Sequence, residues 1–451
     1  MAILLLDAAT FAQVNPHQNY SLPKTTILPP LNQLNRTCLA LAVGQVLALP
    51  AAQAITVTSA LDDGTDCTLR EAIDFRNMAP VDPGNGCTAG SGSDIIDFSI
   101  SPSATITLAA SLPRITSDVT FNGPGQDALT IHGSGSHSVL SIDSATVSIN
   151  SLSIIGGSAT YGGGIEVQNS SHVTLSHSTL SGNSAVDGGG VYAKNSTLTL
   201  TNSTLSGNRA DYGGGIYASE SMVSPEYSTV SGNSAVNGDG GGIYGYKSAN
   251  TLGNSTVSGN GAEYGGGISA YDSMVTLDNS TISVNRADTD GGGLYADSST
   301  VSLNNSIVSG NIATGVGAEI YENSVVFISN KANLLGHAGL TNSEAFADAA
   351  YFTPVPYGDF DATSDYGNVS LSSIQSSLQD HGGPTLTHGL VKGSPAIDAG
   401  DNINCPLTDQ RGEPRDDGKC DIGAFEGFVL IDGQICYVIN GVNGNTVVFC
   451  L

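Results

Sequence analysis

Three consecutive glycines recur through the middle of this chain, starting at Gly162, Gly188, Gly213, Gly240, Gly265 and Gly291. The intervals are 26, 25, 27, 25 and 26 residues. Asparagines keep the same beat at Asn183, Asn208, Asn233, Asn260, Asn285 and Asn311. A fixed period of this length is the mark of a solenoid, whose units bury their apolar side only against neighbouring units. Within a unit the apolar residues alternate. Val173 and Leu175 stand ten and eight residues before the Asn, Leu180 three before it, and Ile165 and Val191 directly follow their Gly triplets. The same phases carry Leu198, Leu200, Leu205 and Ile216 in the next unit. Period two is the pattern of strands, and helical repeats tolerate far fewer glycines. The expected fold is all-β: one parallel β-helix with three strands per coil, its coils stacked about 4.8 Å apart.

Polar residues mark the bends. A second Asn column lies six residues before the first, at Asn202, Asn254, Asn279 and Asn305, with His177 and Tyr227 substituted. A side-chain amide both donates and accepts, so stacked amides can satisfy one another, and Asn tolerates left-handed backbone. Ser178, Ser203, Ser228, Ser255, Ser280 and Ser306 form a column whose parity points inward, so these hydroxyls need partners. One coil departs from the pattern: Pro225 replaces Leu, Tyr227 replaces Asn and Asn250 replaces Val. Such departures mark either a drifting repeat or a functional site.

Charge narrows the function. Lys and Arg number 14 against 41 Asp and Glu, a formal net charge of −27. Nucleic-acid binding and docking on an anionic membrane both need clustered cations, so neither is expected. Arg36, the apolar run 37–51 and Ala52-Gln53-Ala54 have the form of an export signal, so 1–54 reads as a leader. No other stretch is long and apolar enough to span a bilayer. Cys38 would leave with the leader. Six cysteines then remain, which allow 15 pairings. They fall into three local couples, and the expected bridges are Cys67–Cys87, Cys405–Cys420 and Cys436–Cys450. A zinc site is the rival reading, though no C-x-x-C pair is present.

Several of these segments resemble a known family. Leu180-Ser-Gly-Asn-Ser-Ala-Val-Asp-Gly-Gly-Gly-Val-Tyr-Ala193 resembles the repeats of polymorphic outer-membrane proteins. Cys67-Thr-Leu-Arg-Glu-Ala-Ile73 is similar to the CSLREA motif of exported bacterial β-helix proteins, with Thr replacing its Ser. Gly393-Ser-Pro-Ala-Ile-Asp-Ala-Gly400, Asp409-Gln-Arg-Gly412 and Cys420-Asp-Ile-Gly-Ala-Phe-Glu426 resemble their choice-of-anchor module. The resemblance implies a right-handed parallel β-helix of the pectate-lyase-like kind in an exported surface protein. It implies little about activity, because that fold carries adhesins, lyases, hydrolases and epimerases alike. The expected organisation is a leader over 1–54, an N-terminal cap over 55–110 and the β-helix over 111–340. A C-terminal capping module braced by Asp409, Arg411, Arg415 and Asp421 would follow over 341–426, and a disulfide-clamped hairpin over 427–451.

Two outward columns carry the candidate chemistry. Asp187, Asp211, Asp239, Glu263 and Asp290 precede the Gly triplets and would stack as carboxylates. Like charges at coil spacing repel by about 1 kcal/mol, which calcium would relieve. The plainer reading is a solvated acidic edge. Beside them run Tyr192, Tyr217, Tyr244 and Tyr295, with Tyr321 continuing the column, Ser269 interrupting it, and Tyr161, Tyr212 and Tyr264 flanking it. Outward aromatic rings suit sugar or protein surfaces, and they also suit plain ring-on-ring stacking. A lyase would want a cationic base, but Lys194, Arg209, Lys247 and Arg286 form no constellation. The first reading is therefore a secreted or cell-surface β-helix for adhesion or surface structure. It would bind an extracellular glycan or surface protein along the tyrosine flank, with self-association as a further option and no cofactor beyond calcium. The alternative is a polysaccharide lyase or glycoside hydrolase.

Overall fold

A computed structural model describes residues 54–427 except 65, 79–85, 88–93, 102, 330–331, 348–357 and 416–417, and the backbone of 429–431, 434–440 and 446–450. The leader expected over 1–54 lies outside the described residues, Ala54 apart. The rest is a parallel β-solenoid. One coil runs through His172–Ser176, Thr179–Ser181, Ser184–Asp187 and Val191–Lys194. Each strand pairs in parallel with its counterpart one coil on, as Val173 with Leu198 and Leu180 with Leu205. Stacking builds four sheets, named here 1 to 4 in that order. Among the described residues sheets 1 and 2 have eleven strands each, sheet 3 seven and sheet 4 nine. The three expected strands per coil are thus sheets 1, 2 and 4. Sheet 3 is an additional short run, often of two residues such as Arg209–Ala210, made where the chain crosses from the Asn to the Gly triplet.

The alternating pattern does what it promised. Val173, Leu175, Leu180, Val191 and Ala193 are at most 1% exposed and belong to one core that runs through the coils. Burying each of the larger side chains contributes roughly 1.5–3 kcal/mol. The corners are made by backbone that few residues accept. Asn202, Asn254, Asn279 and Asn305, with His177 and Tyr227, have φ of 44–53° at the turn from sheet 1 to sheet 2. The first Gly of each triplet has φ near 57–70°. The other two are needed for close approach: a Cβ on Gly190 would meet Gly215 O at 2.6 Å.

The main Asn column is a different device. Asn208 is 1% exposed, and its Nδ2 donates to Leu180 O and to Asn233 Oδ1, both at 3.0 Å. Asn233 repeats this toward Asn260, and the column ends where Asn311 Nδ2 donates to the buried Glu319 carboxylate at 2.7 Å. The Ser column works likewise: Ser203 N donates to Ser228 Oγ at 3.1 Å, while Ser203 Oγ donates back to Thr201 O.

At the N-terminal end the helix Leu69–Met78 sets Leu69, Ala72 and Ile73 into the core. Arg70 holds Asp62 with both oxygens within 2.9 Å, and Cys67 is bridged to Cys87. The first coil already forms within the segment 55–110 expected to hold the cap and the first irregular coils: Ile55–Val57 pairs with Ile95–Phe98 in sheet 1. The segment 341–426, expected to close the far end, divides instead. Phe346–Ala347 and Phe360–Asp361 add rungs to sheets 4 and 2. Residues 371–427 then fold back along the outer face of sheet 2. The reason lies in that face, which offers neutral hydroxyls. Thr229, Thr256 and Thr281 are at most 2% exposed beneath the module. Gln410 Nε2 donates to Thr229 Oγ1 at 2.9 Å, Thr256 Oγ1 donates to Gln410 Oε1 at 2.6 Å, and Ser258 Oγ bonds His388 at 2.8 Å. The polar set expected to brace this module does so from within, and Arg415 also donates to Asn254 of the solenoid at 3.4 Å. Arg411 pairs with Asp409 at 2.7 Å, Arg415 with Glu426 at 2.6 Å, and Asp421 Oδ1 accepts from Asp398 N. Cys405 is bridged to Cys420. In the tail Gln434–Asn440 and Thr446–Cys450 are antiparallel with Cys436 opposite Cys450, but the side chains of that third couple lie outside the described residues.

Candidate binding face

The tyrosines arise from parity. In Val191–Lys194 and its successors the first and third residues fill the core, so the second must face out from sheet 4. Parallel register then puts Tyr192, Tyr217, Tyr244, Ser269, Tyr295 and Tyr321 in one line. The rings touch. Tyr192 and Tyr217 are stacked at 5.2 Å between centroids, Tyr217 and Tyr244 at 5.0 Å, and Tyr295 and Tyr321 at 4.7 Å. The gap at Ser269 is filled by Tyr271, two residues on, whose ring lies 5.8 Å from Tyr244 and 5.6 Å from Tyr295. Ser269 is fully buried beneath them. The flanking rings join the same array: Tyr161 meets Tyr192 at 4.8 Å, Tyr212 meets Tyr244 at 5.8 Å and Tyr264 meets Tyr295 at 5.2 Å. Reading the chain by column missed Tyr271. Its signal was a second tyrosine pair, Tyr246 and Tyr271, in register two strand positions further along.

Mutual stacking changes what the face can offer. Tyr192 is only 7% exposed, while Tyr161 and Tyr212 are 43% and 40% exposed. Along the column the ring faces cover one another, so broad face-stacking on a sugar is not offered. Burial pushes the phenols of Tyr192 and Tyr295 up to about 12, and raises Tyr217, Tyr244 and Tyr271 as well. The ladder is therefore a row of protonated hydroxyls at neutral pH.

The acids lie beside it in pairs. Asp187 is raised by burial and then by Asp211; Asp239 is raised by burial, with the Tyr271 hydrogen bond opposing the rise and Glu263 adding to it. Asp211 Oδ1 accepts from Asn237 Nδ2, and Asp290 Oδ1 accepts from Val316 N. Asp239 Oδ2 accepts from Tyr271 Oη at 2.9 Å. Among the described residues no three His, Cys, Asp or Glu side chains gather as one metal ion would require. The basic residues stay apart: Lys194, Arg209 and Lys247 are exposed, and Arg286 pairs with its neighbour Asp288 at 3.1 Å. At the corner from sheet 4 to sheet 1 an open groove of about 520 Å³ is lined by Glu220, Lys247, Asp272, Met222 and Met274. The column reading had not singled it out, although two outward methionines flank Ala249 there.

No curated protein matches the chain. Residues 119–274 match the family model described as a right handed beta helix region, and together with the parallel coils this makes the fold a right-handed parallel β-helix.

Proposed function

We propose that this protein is a non-catalytic, secreted or cell-surface β-helix that binds an extracellular glycan or a surface protein along the flank carrying Tyr192, Tyr217, Tyr244 and Tyr295. The locked tyrosine ladder carries this reading. A rigid row of hydroxyl-tipped rings presents contact area at low entropy cost, and repeat surfaces suit extended ligands. Two bridged cysteine pairs fit an oxidising compartment. Among the described residues no helix is long and apolar enough to cross a membrane. The test compares wild type with Tyr217→Phe/Tyr244→Phe in glycan-array and cell binding. The phenylalanines keep the stack and delete only the hydroxyls, so binding should fall while the unfolding midpoint holds. Binding retained by this pair and by the corresponding alanine pair sinks the flank as the contact face.

One observation favours the enzyme reading: Asp239 and Glu263 lie close enough for the charge of one to raise the other's pKa, and a pair of neighbouring carboxylates is what glycoside hydrolysis uses. A reducing-end or unsaturated-uronate assay across acidic glycans decides between the two. Turnover abolished by Asp239→Asn or Arg209→Ala would replace the binding reading.

A further inference from the structure

The ladder has a chemistry that neither packing nor partner binding uses. Phenols can be oxidised by one electron, and electron transfer between rings falls steeply with separation. From Tyr192 through Tyr217, Tyr244, Tyr271 and Tyr295 to Tyr321 successive centroids are 4.7–5.8 Å apart, and Tyr161 extends the line at 4.8 Å. A phenol that loses an electron becomes strongly acidic, so a ladder oxidises readily only where a base waits within hydrogen-bond reach. Asp239 Oδ2 waits 2.9 Å from Tyr271 Oη, at the position where Tyr271 bridges the Ser269 gap. We propose that the tyrosine ladder is a redox path that takes up a one-electron oxidant, with Tyr271 and Asp239 as its proton-coupled entry and the stacked rings as its conductor.

The first step balances as follows. A one-electron oxidant at the protein surface, a high-valent metal complex or a peroxyl radical, gains one electron from the Tyr271 ring. The Tyr271 O–H bond breaks and the proton bonds to Asp239 Oδ2. A neutral tyrosyl radical and a neutral carboxylic acid remain. Burial strengthens the hold of Asp239 on that proton. In the second step the Tyr295 ring, 5.6 Å away, passes an electron to the Tyr271 radical, the proton held by Asp239 returns to the Tyr271 oxygen, and the phenolic proton of Tyr295 leaves to solvent water. Tyr271 is restored and the radical moves one ring along.

The test uses the folded full chain and photogenerated tris(bipyridine)ruthenium(III), read by electron paramagnetic resonance and by peptide mapping of oxidised tyrosines. In wild type the radical and its products should fall on the ladder ahead of Tyr366, which is 58% exposed and absent from the ring contacts of the ladder. Asp239→Asn and Tyr271→Phe keep the column of rings and should shift oxidation to Tyr366. Radical formation in wild type should also slow in deuterated water, a readout that needs no variant. Wild-type oxidation ordered by exposure, with Tyr366 first, overturns the proposal. So does a folded Tyr271→Phe variant that is oxidised at the same sites as wild type.

Discussion

Replacing Asn250 by valine is expected to stabilise the central coils by about 2–4 kcal/mol. Asn250 occupies a core position: it is fully buried, and the register sets it between Val223 and Val275. Neither its Oδ1 nor its Nδ2 has a hydrogen-bond partner. An unpaired buried amide costs about 1–3 kcal/mol, and a buried valine contributes roughly 1.5–3. Gly245 makes the amide sterically tolerable. It stands where Ala218 and Ala270 stand in the neighbouring coils, and a Cβ there would overlap Asn250 Nδ2. Gly245→Ala should therefore destabilise the wild type and be neutral or stabilising beside Asn250→Val. That reversal of sign is a coupling a double-mutant cycle reads directly. Urea unfolding measures the global effect, and hydrogen exchange over 223–277 measures the local one, because solenoid coils couple chiefly to their neighbours. An unchanged or lower midpoint for Asn250→Val would refute the reasoning, since the amide would then have to be satisfied in solution.

Four further outcomes are expected. Val284 is a β-branched residue at φ 60°, where Gly182, Gly207, Gly232 and Gly259 stand in other coils, so Val284→Gly should raise stability by about 1 kcal/mol in urea unfolding. Asn233→Ala removes bonds to Leu205 O and Asn260 Oδ1 and the acceptor for Asn208, and should cost about 1–3 kcal/mol. Burial lowers the His388 pKa below its ordinary 6.5, and the backbone bond to Ser376 only partly offsets this. The unfolded state then binds more protons, so the module's docking is strongest above 6.5 and weakens as pH falls from there toward the depressed value. Hydrogen exchange over 375–390 should rise in that window, and His388→Gln should remove the rise. Because the flank acids gather only in pairs, calcium or a chelator should leave the thermal midpoint of the folded chain unmoved.

How much the sequence determined follows from where each contact partner sits in the chain. Neighbouring coils meet at separations of 25–27 residues, as Asn208 with Asn233 and Asn233 with Asn260. A contact repeated at a constant separation leaves a periodic trace. The inward columns, the Asn and Ser ladders, the left-handed corners and the line of Tyr192, Tyr217, Tyr244 and Tyr295 were all legible for that reason. Tertiary structure alone decided what breaks the period. Gln410 reaches Thr229 across 181 residues, and Arg415 reaches Asn254 across 161. Nothing in a non-repeating segment states which face will receive it, so the module that was expected over the open end lies along sheet 2. Tyr271 shows the same limit at short range: its ring crosses to a neighbouring column because Ser269 leaves space there. The exposure of the tyrosines was settled the same way, since parity sets the direction of a side chain but only the packed rings decide how much of each is left to solvent.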